Sequence, residues 1–282
     1  MLGSVFFMST MDVAFKILVA DFHSLQVVFF RCAMTFPLFF TWILLRDRAL
    51  FRTHYPGGHL LRGVLGLFML FAVGECFREL QLADAYTLFF AAPLLMTLLS
   101  GPILGEAAGK VRIGAALVGF LGVVVVLEPS PSGFIAYGAL MGLLGMMAYT
   151  FTALLLRKLG DKDHTVTIAF WFVTVCGIGA GLMAIPFWRP VEAGHWPWLL
   201  VLGITGAFGQ ILLTAAFRRA SVAVVAPFDY AHMLFAVIYG LAFWGYLPDA
   251  RTWTGAGIIV MSGLFIIYRE NRIRARQARL LS

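Results

Sequence analysis

The amino-acid sequence predicts an all-α integral membrane protein, with ten transmembrane helices that form two inverted five-helix repeats around a central cavity. Hydrophobic residues make up 61% of the 282 positions and charged residues only 12%, whereas soluble domains carry roughly 25% charged residues. Apolar stretches long enough to cross a bilayer recur along the chain, and its two halves share an ordered set of residues. Lipid is therefore the expected solvent of the folded chain.

Ten apolar stretches of about twenty residues are the expected spans. Turn-forming segments separate them, for example at Tyr55–Gly58 and Glu128–Gly133. The first stretch is expected to remain as a helix, because it has no basic leader and contains Asp12 and Lys16. The expected spans are residues 2–20, 24–45, 59–77, 82–101, 111–128, 134–157, 164–187, 196–217, 220–244 and 252–268.

The positions of the basic residues predict how the chain is oriented. With a cytoplasmic N-terminus, 16 of the 21 Lys and Arg residues fall on the cytoplasmic side, including Arg62 and a basic tail at 269–282, while only Arg78, Arg189 and Arg251 fall on the other side. This bias follows the positive-inside rule, so both termini are expected in the cytoplasm and the protein in the bacterial inner membrane, in contact with its lipids. Glu106 is expected to be a capping or ion-pair residue on that side.

The two halves of the chain repeat each other at a spacing of 140 to 142 residues. Because each half holds five spans, an odd number, the second must sit inverted relative to the first. Inverted repeats are typical of secondary transporters, which bind their substrate where the halves meet. The expected units are 1–130, 131–268 and the tail 269–282. Matching pairs include Gly63 with Gly203, Gly66 with Gly206, Phe77 with Phe217, Gly122 with Gly263, and Asp21 with Asp163.

Motifs in both halves resemble the EamA-type drug/metabolite transporter superfamily. In the first half they are Leu80–Tyr86, Ala92-Pro93-Leu94 and Leu104-Gly105-Glu106, and the second half repeats them as Ala216–Ala220, Pro227 and Gly245. Within this superfamily the chain is most similar to bacterial exporters of aromatic amino acids. The resemblance implies a basket-like bundle with a central cavity and export of aromatic or other apolar amino acids. The halves also differ, since Gly105-Glu106 becomes Gly245-Tyr246.

Polar side chains inside the expected spans are candidates for function, because they are costly in lipid. Asp12 and Lys16 lie one helical turn apart. Either Asp12 is a functional carboxylate, or the two residues neutralise each other and contribute only to folding. Arg31 is expected either to contact a substrate carboxylate or to form an ion pair with Asp12 or Glu75. Asp229, Tyr230 and His232 follow Pro227, where a kink is expected. Gln210 is a candidate hydrogen-bonding group, and the candidate coupling residues are Asp12, Glu75, Asp229 and His232.

Aromatic residues make up 15% of the chain and suit a cavity for flat solutes. Several lie at span ends, where aromatic belts are expected. Others lie within spans and either line the cavity or pack between helices. Those placed in the expected cavity are Phe77, Tyr86, Tyr149, Trp171, Phe217, Tyr230 and Tyr239.

The sequence carries no motif that favours catalysis, a cofactor or a metal. Paired metal-ligand histidines, a nucleophile motif, a phosphate-binding Gly-rich loop and an ATP-binding domain are not found. Neither an ATPase subunit nor a nucleic-acid partner is therefore expected. The expected function is export of small metabolites, foremost aromatic amino acids, by alternating access. Export of organic cations is an alternative, and transport of sugar phosphates or nucleotide sugars is another, although only Lys16 and Arg31 would then face the phosphate.

Overall fold

A computed structural model describes residues 1–104, 110–127, 136–160, 163–220 and 222–281, and these residues are helical apart from short connections. Glu106, Gly105 and the expected boundary at 130/131 lie outside the described residues. Because a backbone in lipid must satisfy its own hydrogen bonds, helices are the expected solution for so apolar a chain. The description of this part of the chain as all-helical is thereby confirmed.

Six helices are long and apolar enough to cross a membrane within the described ranges. Histidines begin two of them, since the Nδ1 atoms of His23 and His164 each accept the N–H two residues on at 3.3 Å. These caps satisfy a backbone donor that the first turn leaves unpaired. The six are α1 (Leu2–Asp21), α2 (Ser24–Arg46), α3 (Pro56–Glu79), α7 (Tyr137–Gly160), α8 (Thr165–Ala184) and α9 (Trp196–Arg219).

The remaining apolar segments form helices whose apolar stretches are shorter, and two of the expected spans are interrupted. The span expected at 82–101 breaks at Phe90, just before Pro93. The span expected at 220–244 contains a 3₁₀ stretch, Ala226–Ala231, that includes Pro227. Proline lacks the N–H that a continuous helix needs. These helices are α4 (Leu82–Phe89), α5 (Ala91–Leu104), α6 (Lys110–Leu127), α10 (Val222–Val225), α11 (His232–Trp244) and α12 (Ala250–Leu281).

The helices pack mainly in pairs that join the two halves of the sequence. The most extensive pairings are α3 with α7, α6 with α12, α1 with α9, and α2 with α8, and α4 packs on α11. Small residues allow these close approaches, as expected where lipid supplies no hydrophobic force between helices. The central space that the pairs enclose holds the candidate site.

The two ends of the bundle differ in charge. We call one end the basic face, where Arg46, Arg157 and Arg218 lie at the ends of α2, α7 and α9. The other end, the far face, carries Asp21 and Glu75 at the ends of α1 and α3. At the far face a side chain of α1 binds the end of α3, because Lys16 Nζ donates to the carbonyl oxygens of Phe77 and Leu80 at 2.7 Å each.

A polar cluster at the basic face ties the α2–α3 connection to the start of α8. The carboxylate of Asp163, whose side chain is only 2% exposed, accepts from Thr53 Oγ1 at 2.6 Å and lies 2.8 Å from His59 Nε2 and 2.9 Å from His54 Nδ1. Burial alone would raise the pKa of this carboxyl, but the hydrogen bonds from Thr53, His59 and His54 together hold the pKa well below its usual range. Asp163 is therefore a charged anchor between the two connections.

The pairing of α6 with α12 depends on glycine. A Cβ added at Gly122 would lie 2.8 Å from the backbone oxygen of Gly255. The backbone cannot yield as a side chain can, so any larger residue at position 122 pushes the two helices apart. Gly114, two turns earlier in α6, has open space where its Cβ would be.

We therefore predict that Gly122→Ala destabilises the protein by about 1–3 kcal/mol, the usual cost of overpacking. The measurement is thermal unfolding of the purified protein in detergent. Gly114→Ala is the matched control in the same helix, and it should leave stability unchanged or slightly higher. Equal losses for the two variants would show that the close approach of α6 and α12 does not matter.

We also predict that Asp163→Asn lowers thermal stability at pH 7 by about 1.5–3 kcal/mol, the worth of a charge-assisted hydrogen bond. The folded-state pKa of Asp163 lies below the ordinary value of 3.8, so its carboxylate stabilises the fold above about pH 4. This contribution disappears as the pH falls below that value. The gap between wild type and variant should thus narrow in unfolding curves recorded from pH 5 down to pH 3. A difference in stability between wild type and variant that stays constant over this range would contradict the stabilising role of the Asp163 carboxylate.

Candidate functional site

A cavity of about 140 Å³ lies at the centre of the bundle, large enough for several water molecules. Residues of α1, α2, α3, α4, α7, α8, α9 and α11 contribute to its wall, together with the 3₁₀ stretch before α11. Among the described residues its polar lining is Ser4, Asp12, Arg31, Arg62, Tyr86, Tyr149, Thr152, Gln210, Asp229 and His232.

One side of the cavity carries a chain of polar contacts around Asp12. Tyr86 donates its hydroxyl to Asp12 Oδ2 at 2.5 Å. The ring of Tyr86 stacks on His232, with centroids 4.9 Å apart, and His232 Nδ1 shares a hydrogen bond of 2.7 Å with Ser9 Oγ. Residues from α1, α4 and α11 thus hold one another in place, and both the carboxylate and the imidazole face the cavity.

A second carboxylate, Asp229, lies on the 3₁₀ stretch that interrupts the ninth expected span. Its Oδ2 accepts from Tyr149 of α7 at 2.9 Å, whereas its Oδ1 is buried without a partner among the described residues. A buried carboxylate oxygen without a donor is costly, so it is a natural acceptor for a ligand. The broken helix places Asp229 at the cavity wall, where its Oδ1 can accept a further hydrogen bond.

Two arginines also line the cavity, and both are almost completely buried, with Arg31 4% and Arg62 3% exposed. Arg31 Nε lies 3.0 Å from the sulfur of Met11, and its Nη2 lies 3.4 Å from Gln210 Oε1. Arg62 donates weakly to the Ile168 carbonyl at 3.4 Å and stacks its guanidinium 4.3 Å above the ring of Phe172. The cavity therefore presents charged groups of both signs.

The apolar part of the wall is unusually rich in flexible and flat side chains. Methionine adapts its shape and contacts aromatic rings favourably, and aromatic faces stack on flat solutes. Phe77 also borders a second recess at the far face, beside Lys16, Arg78 and Trp244. The methionines and phenylalanines of the central cavity are Met8, Met11, Met69, Met146, Phe77, Phe89, Phe172 and Phe217.

Several residues expected in the cavity lie elsewhere. Glu75 is at the far face, where it accepts from Ser24 at 2.5 Å and lies 3.9 Å from Arg78. Trp171 donates its indole N–H to the Phe51 carbonyl near the basic face. Tyr230 packs on Phe90 and against Gly263, and Tyr239 shares a hydrogen bond of 2.8 Å with Thr10. Aromatic content alone does not tell which side of a helix faces the cavity.

The suggested pairings of Asp12 and Arg31 are not found. Lys16 does not pair with Asp12 but donates to carbonyl groups at the end of α3. No described carboxylate lies within 4.0 Å of Arg31 in an ion pair. The remaining expected residues, Asp12, Phe77, Tyr86, Tyr149, Gln210, Phe217, Asp229 and His232, do line the cavity.

Sequence reasoning missed Arg62, which it counted among the basic residues of a cytoplasmic connection. The signal available was its position, six residues after Pro56 and inside an uninterrupted helix. A residue one and a half turns into a helix can reach the interior of the bundle. The cavity methionines carried no signal in the sequence, because methionine is common throughout the chain.

Comparisons with known proteins agree with this architecture. The profile of the EamA-like transporter family matches residues 1–128 and 136–269. A pseudopaline exporter of Pseudomonas aeruginosa is 32% identical over 91% of this chain and 90% of its own. A riboflavin transporter of Rhizobium johnstonii is 30% identical over 91% of this chain and 85% of its own, and an S-adenosylmethionine uptake transporter of Rickettsia conorii is 27% identical over 95% and 91%.

A solved crystal structure also superposes on the chain. The TM-score is 0.70 over 96% of both chains, at 18% sequence identity, which is a likeness of fold. The resemblance seen in the sequence motifs is thus confirmed at the level of the superfamily. The chain belongs to the EamA-like transporter family and is a multi-pass membrane transporter of small molecules.

Proposed function

We propose that this transporter exports amino acids with flat or apolar side chains, foremost the aromatic ones, across the bacterial inner membrane by alternating access. The observation that carries this proposal is the central cavity, which joins buried carboxylates to a wall of phenylalanine and methionine. An ammonium group fits Asp229, whose free Oδ1 lacks a donor. A flat side chain fits the rings and thioethers opposite it.

Inverted repeats are a common architecture for alternating access, and the helix pairing supports them here. When each helix is exchanged for its counterpart in the other half, α1 on α9 becomes α7 on α3, and α2 on α8 maps onto itself. The pair α6 on α12 likewise maps onto itself, and α4 on α11 becomes the packing of α5 against α10 and the 3₁₀ stretch Ala226–Ala231. An architecture of ten spans, two of them broken, accounts for this symmetry.

Individual contacts support the same symmetry. A Cβ at Gly63 of α3 would lie 2.4 Å from Val175 Cβ of α8, and a Cβ at Gly203 of α9 would lie 2.4 Å from Met34 Cβ of α2. These pairs are related by the sequence spacing of 140 to 141 residues. The family profile also matches two successive stretches of similar length.

The cargoes named for the relatives are compatible with such a cavity. Riboflavin is a flat ring system, and S-adenosylmethionine combines an amino-acid group with a flat base. The names of the relatives cover both export and uptake. For this chain we propose export. We also propose that both termini and the basic face lie on the cytoplasmic side, since the basic residues concentrate there.

Coupling to protons is proposed to use the ionisable groups of the cavity. Asp12, Asp229 and His232 face the space where a substrate would sit, so protonation and substrate binding would compete there. Glu75 lies at the far face beside Arg78, and any part it plays would be at the mouth of the pathway. A facilitator would need none of these titrations.

Export of organic cations is the second candidate, because the two cavity carboxylates would also attract a quaternary amine. It differs from the main proposal in one respect, since a quaternary amine has no carboxylate to meet the cavity arginines. Uptake of labelled lysine, a quaternary amine and glucose 6-phosphate is therefore measured alongside that of the aromatic amino acids.

We expect purified protein in liposomes to take up labelled phenylalanine and tryptophan saturably. Asp229→Asn should reduce this uptake on the order of tenfold or more, because it removes the negative charge that meets the ammonium group. Glu79→Gln, at the exposed far face, is the control and should transport as the wild type does. An imposed pH gradient will change the rate if transport is proton-coupled and leave it unchanged if the protein is a facilitator.

The proposal would be abandoned if neither aromatic amino acid were taken up while the quaternary amine or glucose 6-phosphate moved saturably. That outcome would leave the membership in the transporter family intact, since it rests on the whole length of the chain.

A further inference from the structure

The two cavity arginines have hydrogen-bond donors that nothing in the described structure uses. Arg31 Nη1 and Arg62 Nε are both buried and without an acceptor among the described residues. A guanidinium carries five N–H donors and stays charged under all ordinary conditions. Leaving such donors dry inside an apolar bundle is costly, so their retention calls for an explanation.

Among the described residues, no carboxylate forms an ion pair with either arginine. The ion pairs found among the described residues join Asp163 to His54 and His59, Arg78 to Glu75, and His195 to Asp21. Asp12 and Asp229 line the same cavity but take their hydrogen bonds from Tyr86 and Tyr149. The cavity therefore keeps its positive groups and its negative groups unpaired with each other.

The surroundings hold the arginine heads in place without neutralising them. The sulfur of Met11 and the amide oxygen of Gln210 orient Arg31. The Phe172 ring and the Ile168 carbonyl orient Arg62. All four groups are uncharged, so they fix geometry while the positive charge remains available. Positioned, uncompensated guanidinium groups are what a site for an anion requires.

We propose that Arg31 and Arg62 form a carboxylate subsite, so that substrates of this transporter must carry a carboxylate group. This inference rests on the proposed function and refines it, because it assigns the second end of an amino acid. The carboxylate would accept from the free Nη1 of Arg31 and the free Nε of Arg62. The ammonium group would lie at Asp229 or Asp12, and the zwitterion would span the gap between the two charged groups.

The subsite also explains why the cavity tolerates an unbalanced pair of cations. A bound carboxylate would accept from both free donors, so binding relieves the cost of leaving them without an acceptor. Phosphate could be bound by the same donors, but the two free N–H groups match the two oxygens of one carboxylate. We therefore commit to a carboxylate and make phosphate an arm of the test.

The experiment compares four probes that share a phenyl ring and differ in charged groups. They are phenylalanine, phenylalaninamide, which lacks the carboxylate, 3-phenylpropionate, which lacks the amine, and phenyl phosphate. Binding is read from the thermal shift of the purified full-length protein in detergent as a function of probe concentration. The variants are Arg31→Met and Arg62→Met, which keep an apolar stem, with Arg48→Gln at the exposed basic face as control.

For the wild type we expect binding of phenylalanine and 3-phenylpropionate, and weaker binding of phenylalaninamide and phenyl phosphate. Each cavity variant should weaken binding of the two carboxylates on the order of tenfold or more, while binding of phenylalaninamide changes less than about threefold. Arg48→Gln should match the wild type. The ligand-free cavity variants should be at least as heat-stable as wild type, because removing an uncompensated buried charge relieves its cost.

Three outcomes would overturn the subsite. The first is equal loss of all four probes together with lower ligand-free stability, which would mark the arginines as structural. The second is unchanged carboxylate binding in both variants. The third is phenyl phosphate binding more tightly than 3-phenylpropionate. The 3-phenylpropionate arm separates the two proposals, since it reports on the subsite even if phenylalanine itself is not transported.

Discussion

The cost of placing charge inside an apolar helical bundle governs the structure of this protein. Charged groups that stabilise the fold have close hydrogen-bond partners. Asp163 is an example, since three neighbouring side chains surround its carboxylate at the basic face. In the central cavity the charged groups instead keep free atoms, among them Asp229 Oδ1 and Arg31 Nη1. This contrast, more than the amount of charge, separates the parts of the chain that maintain the fold from the part that meets a solute.

Much of the fold could be predicted from the sequence because lipid imposes simple rules. Apolar length fixes where helices lie, and the spacing of glycines reports close approach, as at Gly63 and Gly203. The breaks were harder to predict. Pro227 signals one of them, and Pro93, in the first turn of α5, marks the other, although the expected span 82–101 runs across it.

The candidate site was only partly predictable for a different reason. Hydropathy tells that a polar residue is costly but does not tell which way it points. Asp12 and Asp229 face the cavity, whereas Glu75 turns to Ser24 and Arg78 at the far face. From the sequence alone, Arg62 is expected to be an orienting charge, because it lies near a basic connection. Such assignments depend on helix rotation, which in a bundle is set by packing against all neighbours at once.

The contact between Gly122 and Gly255 has a mechanical consequence. Here two backbones touch without side chains between them, and the helices involved, α6 and α12, come from opposite halves of the chain. This contact holds the two helices close together. If alternating access moves the two halves against each other, this edge of the bundle would act as the pivot. The pairs α3–α7 and α1–α9 would then move furthest. The interrupted spans between these pairs and the pivot would bend.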